Sequence, residues 1–503
     1  MSDEIYASKV ELLAAGLAPG VHPLRPGFWY NGRNMNFEAF GVVTARGRGK
    51  LNINALLFDA KAGNFDDAAG NFDDGGASQV TLDVSLSTPI TGLHVMKTND
   101  GQQQVFYGTL NKLYVYEGPT PTEEGSGYDG YADQAAGHDA TRWSMANWGD
   151  WVVATNNFDK PQLRKNGTDG FEDMTDGTMP TRAAIVFQFG PHMHFANVSD
   201  GRNRIDYSEE GNPEVIAGNV FLRGLETDIV AAVPLGQAYG IYTANEMQIY
   251  SYIGNIFTFG ALPAISGIGA LSKFSVVAVG ARNFGLMLNG IFATDGTSSQ
   301  IVSDPALGEW LVRNLNKDQM SKIVGYHDVA HNQVRWALPT GTSNSNNLVL
   351  AYNYQTGAIT FHSQAFSAAF EKGVFNWPLV GTEAGSVYLD DYQYSDLGNA
   401  VERYITTKPL DLEKRNNWKH VSHVQSEVLI HSGEGPKLSV GMQESIDDAV
   451  TWYGPFDVDS SLTLTPVAES GVFITLKWAS SNADDHWELA GFRLLGALEG
   501  AVA

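Results

Sequence analysis

Short apolar runs separated by turns recur through most of this chain. The pattern repeats seven times between about residue 91 and residue 395, with units that start near Thr91, Trp143, Arg182, Asp228, Lys273, Lys322 and Glu371. The starts lie roughly 39 to 52 residues apart, a spacing typical of four-stranded propeller blades. The pattern therefore predicts an all-β protein with an irregular β-propeller of five to seven blades over residues 91–400. Seven is the upper limit, because the units at Trp143 and Glu371 are the weakest.

The pattern of apolar and polar residues changes beyond residue 400. Residues 437–442, 471–478 and 487–494 alternate between apolar and polar positions, as strands of an antiparallel sandwich do. We predict a β-sandwich-like domain over residues 401–503, built partly from the chain termini. Residues 1–90 are predicted to supply N-terminal strands and a docking segment. The best helical pattern within the repeats covers residues 304–322.

The amino-acid composition argues against several classes of function. The 503 residues carry 32 basic and 56 acidic side chains, a formal net charge of −24. Such a balance argues against tight binding of nucleic acid through its phosphates. The chain has no cysteine, which excludes disulfides, thiolate metal sites and a cysteine nucleophile. No signal peptide and no membrane-spanning segment is predicted, so we expect synthesis in a cytoplasm.

Several segments suggest metal chemistry only weakly. Residues 62–67 recur seven positions later as residues 69–74, and this duplication, rich in Asp and Gly, could bind calcium, but the spacing of known calcium loops is missing. Three histidine pairs lack a metalloprotease context and are interpreted as structural or surface residues: His192/His194, His327/His331 and His420/His423. We predict no cofactor and no metal.

No catalytic motif stands out. The segment Ser445–Trp452 approaches the Asp-box hairpin of sialidases, a structural motif in which the Trp packs beneath the turn, but only one copy is present. The adjacent acids Asp390–Asp391 and Asp484–Asp485 fit solvated turns better than an acid/base pair. The grouped Arg202, Arg204 and Arg223 are either a partner-binding basic spot or an exposed hairpin tip. We therefore predict that the protein is not an enzyme.

Three motifs, in this order, resemble the tail nozzle and stabilisation (tail hub) proteins of short-tailed phages. Residues 26–37 are similar to the N-terminal signature of that family, residues 204–214 to a blade segment, and residues 487–494 to a C-terminal strand. The residues that carry the resemblance are Phe28, Trp29, Arg33, Asn34 and Phe37; Arg204, Tyr207, Ser208 and Pro213; and Trp487 and Gly491.

The resemblance implies a structural virion protein located in the phage tail. It implies a homo-hexameric ring that binds the adaptor ring below the portal, with a tail needle, plug or fibres attached nearby. Genomic DNA would pass through the lumen without sequence-specific binding, and an acidic lumen would repel its phosphates. The alternative is a glycan- or receptor-binding tail module, and a glycosidase or depolymerase is third.

Overall fold

The computed structural model describes most of the chain. It covers residues 29–38, 41–50, 88–101, 103–116, 121–132, 139–166, 170–225, 227–254, 258–371, 373, 375, 377–394, 396–412, 417–458 and 464–501. Within these ranges the protein is nearly all β, and its strands form antiparallel sheets, as the sequence predicts. The duplication at 62–75 and Phe28 lie outside the described residues.

Four short strands open the described part of the chain, and all four pair in sheets with distant segments. They are β1 (Trp29–Arg33), β2 (Met35–Glu38), β3 (Gly41–Thr44) and β4 (Gly47–Lys50).

Seven sheets, each built on four main strands and called four-stranded here, follow one another along the chain and are numbered from first to seventh; the fourth also has a short fifth strand. The first contains β5 (Gly92–Lys97), β6 (Gln103–Gly108), β7 (Lys112–Tyr116) and β8 (Thr122–Ser126). The second contains β9 (Ser144–Trp148), β10 (Trp151–Thr155), β11 (Gln162–Arg164) and β12 (Glu172–Asp173). The third contains β13 (Ala183–Phe189), β14 (His192–Val198), β15 (Gly201–Glu209) and β16 (Asn212–Phe221).

The next two sheets keep the same order of strands. The fourth contains β17 (Ala231–Leu235), β18 (Ala238–Tyr242), β19 (Glu246–Tyr252) and β20 (Phe259–Ala261), and the short β21 (Ile265–Ser266) also pairs with β19. The fifth contains β22 (Val276–Val279), β23 (Arg282–Met287), β24 (Gly290–Thr294) and β25 (Ser299–Ile301).

The only helices in the described ranges connect the fifth and sixth sheets. They are α1 (Pro305–Asn314) and a 3-10 helix (Lys317–Lys322), which together match the predicted helical segment. Asp304 caps α1 by accepting a hydrogen bond from the Ala306 amide, and Pro305 occupies the first turn, where its missing N–H costs nothing. No helix of the described residues is long and apolar enough to cross a membrane.

The last two of the seven sheets bring in the N-terminus. The sixth contains β26 (Val324–Asp328), β27 (Gln333–Leu338), β28 (Leu348–Asn353) and β29 (Ile359–His362). The seventh contains β30 (Ala368–Phe370), β31 (Leu379–Gly381) and β32 (Val387–Gln393), and its fourth strand is the N-terminal β4. The seventh sheet is therefore complete only when a segment near the N-terminus pairs with the last strand of the repeats.

The first strands of the seven sheets contact one another in a closed cycle. β5 contacts β9, and the contacts continue through β13, β17, β22, β26 and β30 back to β5. Apolar cores fill the spaces between consecutive sheets. One such core joins Val95 and Tyr107 of the first sheet to Leu379 and Leu389 of the seventh. Each of the seven sheets thus buries apolar side chains against the sheets on either side of it.

Close packing between the first two sheets depends on a glycine. Trp143 precedes β9, is fully buried, and donates a hydrogen bond from Nε1 to the Thr109 carbonyl at 2.7 Å. Its indole lies against Gly108 in β6, and a Cβ at that position would overlap the ring. Only glycine leaves room for this contact.

The remaining strands form two five-stranded sheets. One has the order β1, β33 (Arg403–Thr407), β38 (Phe473–Ser480), β35 (Lys437–Gln443) and β36 (Thr451–Asp457). The other has the order β2, β3, β39 (His486–Ala501), β34 (Asn417–Ser432) and β37 (Leu464–Gly471). Both contribute to one core, in which the Trp478 and Phe492 ring centroids lie 5.2 Å apart and Trp478 Nε1 donates to Ser426 Oγ at 2.9 Å.

Candidate functional site

A cavity of about 640 Å³ lies where the first strands of several sheets begin. Its wall comes mainly from residues that precede or open β9, β13, β17 and β22. Residues that follow β10 and β18, one residue each of β14 and β15, and the 3-10 helix before β26 complete it. We call it the first-strand cavity. Its charged lining residues are Asp139, Arg142, Arg182, Arg202, Asp228 and Lys273.

Two of these cations lie side by side in the wall. Arg142 is only 4% exposed, and the Lys273 ammonium donates to the Arg142 carbonyl at 2.6 Å. The Arg142 guanidinium reaches only carbonyl oxygens, at 3.5 Å, and its Nε has no hydrogen-bond partner. Two buried cations therefore share this wall without an ion-paired carboxylate among the described residues.

The environment shifts both pKa values downward. Burial lowers the pKa of Lys273 to about 7, with Arg142 adding repulsion and Asp139 opposing the shift. Burial likewise lowers the pKa of Arg142 to about 10. Because desolvation disfavours the charged forms of Lys273 and Arg142, an anion bound in the cavity would stabilise both charged forms.

The other two cations have partners. Arg182 Nη1 donates to Asn157 Oδ1 at 2.7 Å, and Arg202 Nη1 forms a 2.8 Å ion pair with Asp228. The charged lining thus has four basic and two acidic side chains, in a protein whose net charge is −24. The cavity is locally basic within an acidic molecule.

A second polar centre is buried between the sixth and seventh sheets. Arg335 of β27 forms an ion pair with Asp328 of β26 at 2.6 Å and lies 3.5 Å from Asp390 of β32. Tyr326 donates to Asp390 Oδ2 at 2.5 Å. Burial, the largest influence, raises the pKa of Asp390, although Arg335 and Tyr326 act against it. We call these four residues, with His331 and Asp391, the buried ionic cluster.

His331 and Asp391 complete this cluster beside a cavity of about 320 Å³. His331 Nε2 lies 2.9 Å from Asp391 Oδ2. Burial opposes ionisation of Asp391, but His331 and Arg335 outweigh it and hold its pKa below the usual range. One ligand atom each from Asp328, His331 and Asp391 lie within 4.8 Å of one another, a spacing that fits a cation. Arg335 already neutralises Asp328, so the geometry supports an ion-pair cluster rather than a metal centre.

The prediction for Asp390 and Asp391 as solvated turn residues is wrong. Both lie within strand β32 and are at most 5% exposed. Two acids in succession are buried here because Arg335 approaches from β27 and His331 from the turn between β26 and β27. In the other pair, Asp485 is fully buried and accepts a hydrogen bond from the Glu434 amide at 3.0 Å, so it too is structural.

His192 and His194 lie on the same side of β14, as alternation along a strand requires. His194 is surrounded by aromatic rings, including Phe187, Tyr250 and Phe259, and neither of its ring nitrogens has a partner. Burial, followed by repulsion from His192, lowers the pKa of His194 to about 3. This histidine is a neutral core residue.

The other histidine pairs separate. His327 Nε2 lies 3.1 Å from the Tyr354 hydroxyl, whereas His331 contacts Asp391. His420 Nδ1 lies 3.0 Å from Ser470 Oγ on the neighbouring strand β37. Each contact is with a different partner, which agrees with structural roles.

The three grouped arginines do not form a free basic spot. Arg204 lies 2.5 Å from Asp206 and stacks over the Phe221 ring at 5.5 Å, while Arg202 pairs with Asp228. Neighbouring acids thus satisfy two of the three cations. Arg223 is exposed just after β16.

The Asp-box-like segment departs from the motif. The turn between β35 and β36 is closed by Asp448, which accepts a hydrogen bond from the Ser445 amide at 2.8 Å. Trp452 is 44% exposed, so it does not pack beneath the turn. The resemblance to the sialidase hairpin is therefore confined to the sequence.

The residues of the N-terminal motif lie at a junction. Trp29 and Arg33 are in β1, and Phe37 is in β2. Asn34 between them is 1% exposed, with φ of 55°. Its side chain donates to Ser363 Oγ and to the Glu402 carbonyl at 2.6 Å, and accepts from the Ser363 amide at 2.8 Å.

The other two motifs lie in separate strands. Arg204, Tyr207 and Ser208 belong to β15, and Pro213 to β16, in the third sheet. Trp487 and Gly491 belong to β39, whose residues Glu488 and Leu489 pair with β3. The N-terminal and C-terminal motifs therefore both lie in the two five-stranded sheets, with β3 between β2 and β39 in one of them, while the middle motif lies in the third sheet.

The sequence did not reveal the cavity as a site, although a signal was present. A basic residue stands shortly before the first strand of four units: Arg142, Arg182, Lys273 and Lys322. Equivalent positions in successive repeats converge when the repeats close into a cycle, and three of these four side chains line the cavity.

No protein-family model and no curated protein sequence matches this chain.

Proposed function

We propose that the seven four-stranded sheets are the blades of a β-propeller and that the two five-stranded sheets form a β-sandwich. The cyclic contacts of the first strands support the propeller. β4 completes the seventh sheet, so the N-terminus closes the ring that the later repeats begin. The shared core around Trp478 supports the sandwich.

We further propose that the protein is a structural component of a short phage tail. The observation that carries this proposal is the meeting of the two terminal motifs. β1 pairs with β33, and β2 pairs with β3, which in turn pairs with β39, so the segments that resemble the tail nozzle family at both ends lie in two sheets that share one core. In this proposal the unit docks to neighbouring tail proteins, and the propeller forms the body of the ring.

Assembly into a homo-hexamer would give these monomers a lumen wide enough for DNA. A net charge of −24 per chain gives a hexamer a strongly acidic surface. Such a surface repels DNA phosphates and keeps the nucleic acid mobile in the conduit. The adaptor ring below the portal and a needle, plug or fibre are the proposed protein partners.

Electron microscopy of the purified chain tests the structural role. Six-fold rings, alone or at the end of phage tails, are the expected result. A monomer that cleaves polysaccharide would contradict it.

A ligand-binding tail module is the second candidate. The observation that favours it is the first-strand cavity, which is of small-molecule size and has two buried basic side chains, Arg142 and Lys273, in its wall.

A further inference from the structure

The first-strand cavity has the dimensions of a site for a small organic molecule. Its volume of about 640 Å³ lies within the range of ligand pockets. It far exceeds the space that one inorganic ion fills, and it is too small for a nucleic acid duplex. A ligand that fills it must therefore have an uncharged body as well as any charged group.

The basic side chains in the cavity wall favour an anionic ligand. Arg142 is nine-tenths buried, leaves Nε without a hydrogen bond, and has no carboxylate within ion-pairing distance among the described residues, although Glu383 is close enough to oppose the lowering of its pKa. Lys273 adjoins it, and its one hydrogen bond described here is to the Arg142 carbonyl. Burying a cation without a directly paired carboxylate is costly, and an anion that binds between the two side chains would offset that cost.

The rest of the wall suits a hydroxylated body. Asn157, Asn197 and Ser321 present amide and hydroxyl groups, and Phe158 contributes an aromatic ring. Amide side chains and an aromatic face next to cations are a combination that binds sugars bearing an acidic group.

We propose that this cavity binds a monosaccharide-sized organic anion, either a sugar phosphate or a sugar acid, with its anionic group against Arg142 and Lys273. Arg182, at the start of β13, lines the same cavity and adds a third basic side chain to its wall. This binding is a property of a single chain and does not depend on the proposed role in a phage tail.

Calorimetric titration of the purified full-length protein tests the proposal. The probes are glucose 6-phosphate, glucuronate, neutral glucose and inorganic sulfate, all at pH 6.5. We expect saturable 1:1 binding of at least one sugar anion, at least tenfold tighter than sulfate, and no binding of glucose. The stronger of the two sugar anions identifies phosphate or carboxylate as the anionic group. Equal affinity for glucose, or no saturable binding of either sugar anion, would overturn the proposal.

Variants locate the site. Lys273→Met and Arg182→Gln should each weaken binding of the preferred anion at least tenfold. Arg313→Gln is the matched control, because Arg313 lies on α1 with its side chain 73% exposed, away from the cavity. Arg182 is half-buried at a strand start, so its variant keeps the test informative if Lys273→Met does not fold. Unchanged affinity in a folded variant would show that the anion binds elsewhere.

A pH series adds a readout that a structural role would not change. If binding requires the charged form of Lys273, whose pKa is about 7 in the free protein, affinity should fall about tenfold between pH 6 and pH 8. Glucuronate serves as probe because its carboxylate stays ionised over this range. The slope should disappear in Lys273→Met and persist in Arg182→Gln. A slope that Lys273→Met leaves intact would contradict the assignment.

Discussion

Replacing Arg335 by methionine should be among the most destabilising single changes in the chain. Arg335 is 3% exposed and Asp328 is 1% exposed, and their charged atoms lie 2.6 Å apart. Methionine keeps much of the side-chain volume but leaves the carboxylates of Asp328 and Asp390 without their cation. Removing one partner of a buried ion pair costs about 3–5 kcal/mol. That is a large part of the roughly 5–15 kcal/mol that keeps a protein folded.

Urea unfolding followed by tryptophan fluorescence measures this loss, because Trp336 is fully buried in the same strand and urea does not screen charge. Arg313→Met is the control. Arg313 pairs with Glu309 at 3.6 Å with both side chains more than 60% exposed, so its removal should cost less than about 0.5 kcal/mol.

A double variant separates the ion pair from the packing. Asp328→Asn in the Arg335→Met background removes one of the stranded charges, so the two changes together should cost less than the sum of the single changes. A loss below about 1 kcal/mol for Arg335→Met, or a loss equal to that of the exposed control, would refute the account of the buried ionic cluster.

Three further variants probe other parts of the fold. His194 has a pKa of about 3 in the folded protein and near 6.5 in the unfolded chain, so between these values only the unfolded chain takes up the proton. The free energy of unfolding should therefore decrease by about 2 kcal/mol as the pH is lowered from 8 to 5. Urea melts of His194→Phe should lack this part of the pH dependence. If the variant keeps the full pH dependence, His194 is not the neutral group inferred here. Asn34→Ala should cost about 2–4 kcal/mol in the same assay, and Asn34→Gly about 1 kcal/mol less because glycine accepts the positive φ; equal losses would mean that the backbone conformation contributes nothing. Gly108→Ala should cost about 1–3 kcal/mol and shift the near-ultraviolet circular dichroism as Trp143 moves, and an unchanged spectrum would contradict the close contact between the first two sheets.

The sequence predicts the β-strands well because they depend on local signals. Apolar runs bounded by turns mark the repeats, and each predicted unit start lies within a few residues of the first strand of a four-stranded sheet. The signal for the helix after Asp304 is also local, because a capping aspartate and a proline precede its apolar stripe.

Pairing between distant segments could not be predicted in the same way. β4 is a four-residue strand with two glycines, and its pairing with β32 depends on the closure of the whole set of sheets. The burial of Asp390 and Asp391 also depends on distant residues, because their cation comes from β27. Charged residues look solvated in a sequence unless their partners are known, and here the partners are about 60 positions away.

The symmetry of the assembled protein tests the central proposal most directly. Electron microscopy of the purified full-length chain, and of tails that contain it, should show rings with six-fold symmetry and a central opening wide enough for duplex DNA. Particles that remain monomeric in solution and are absent from the tail axis would contradict the proposed structural role.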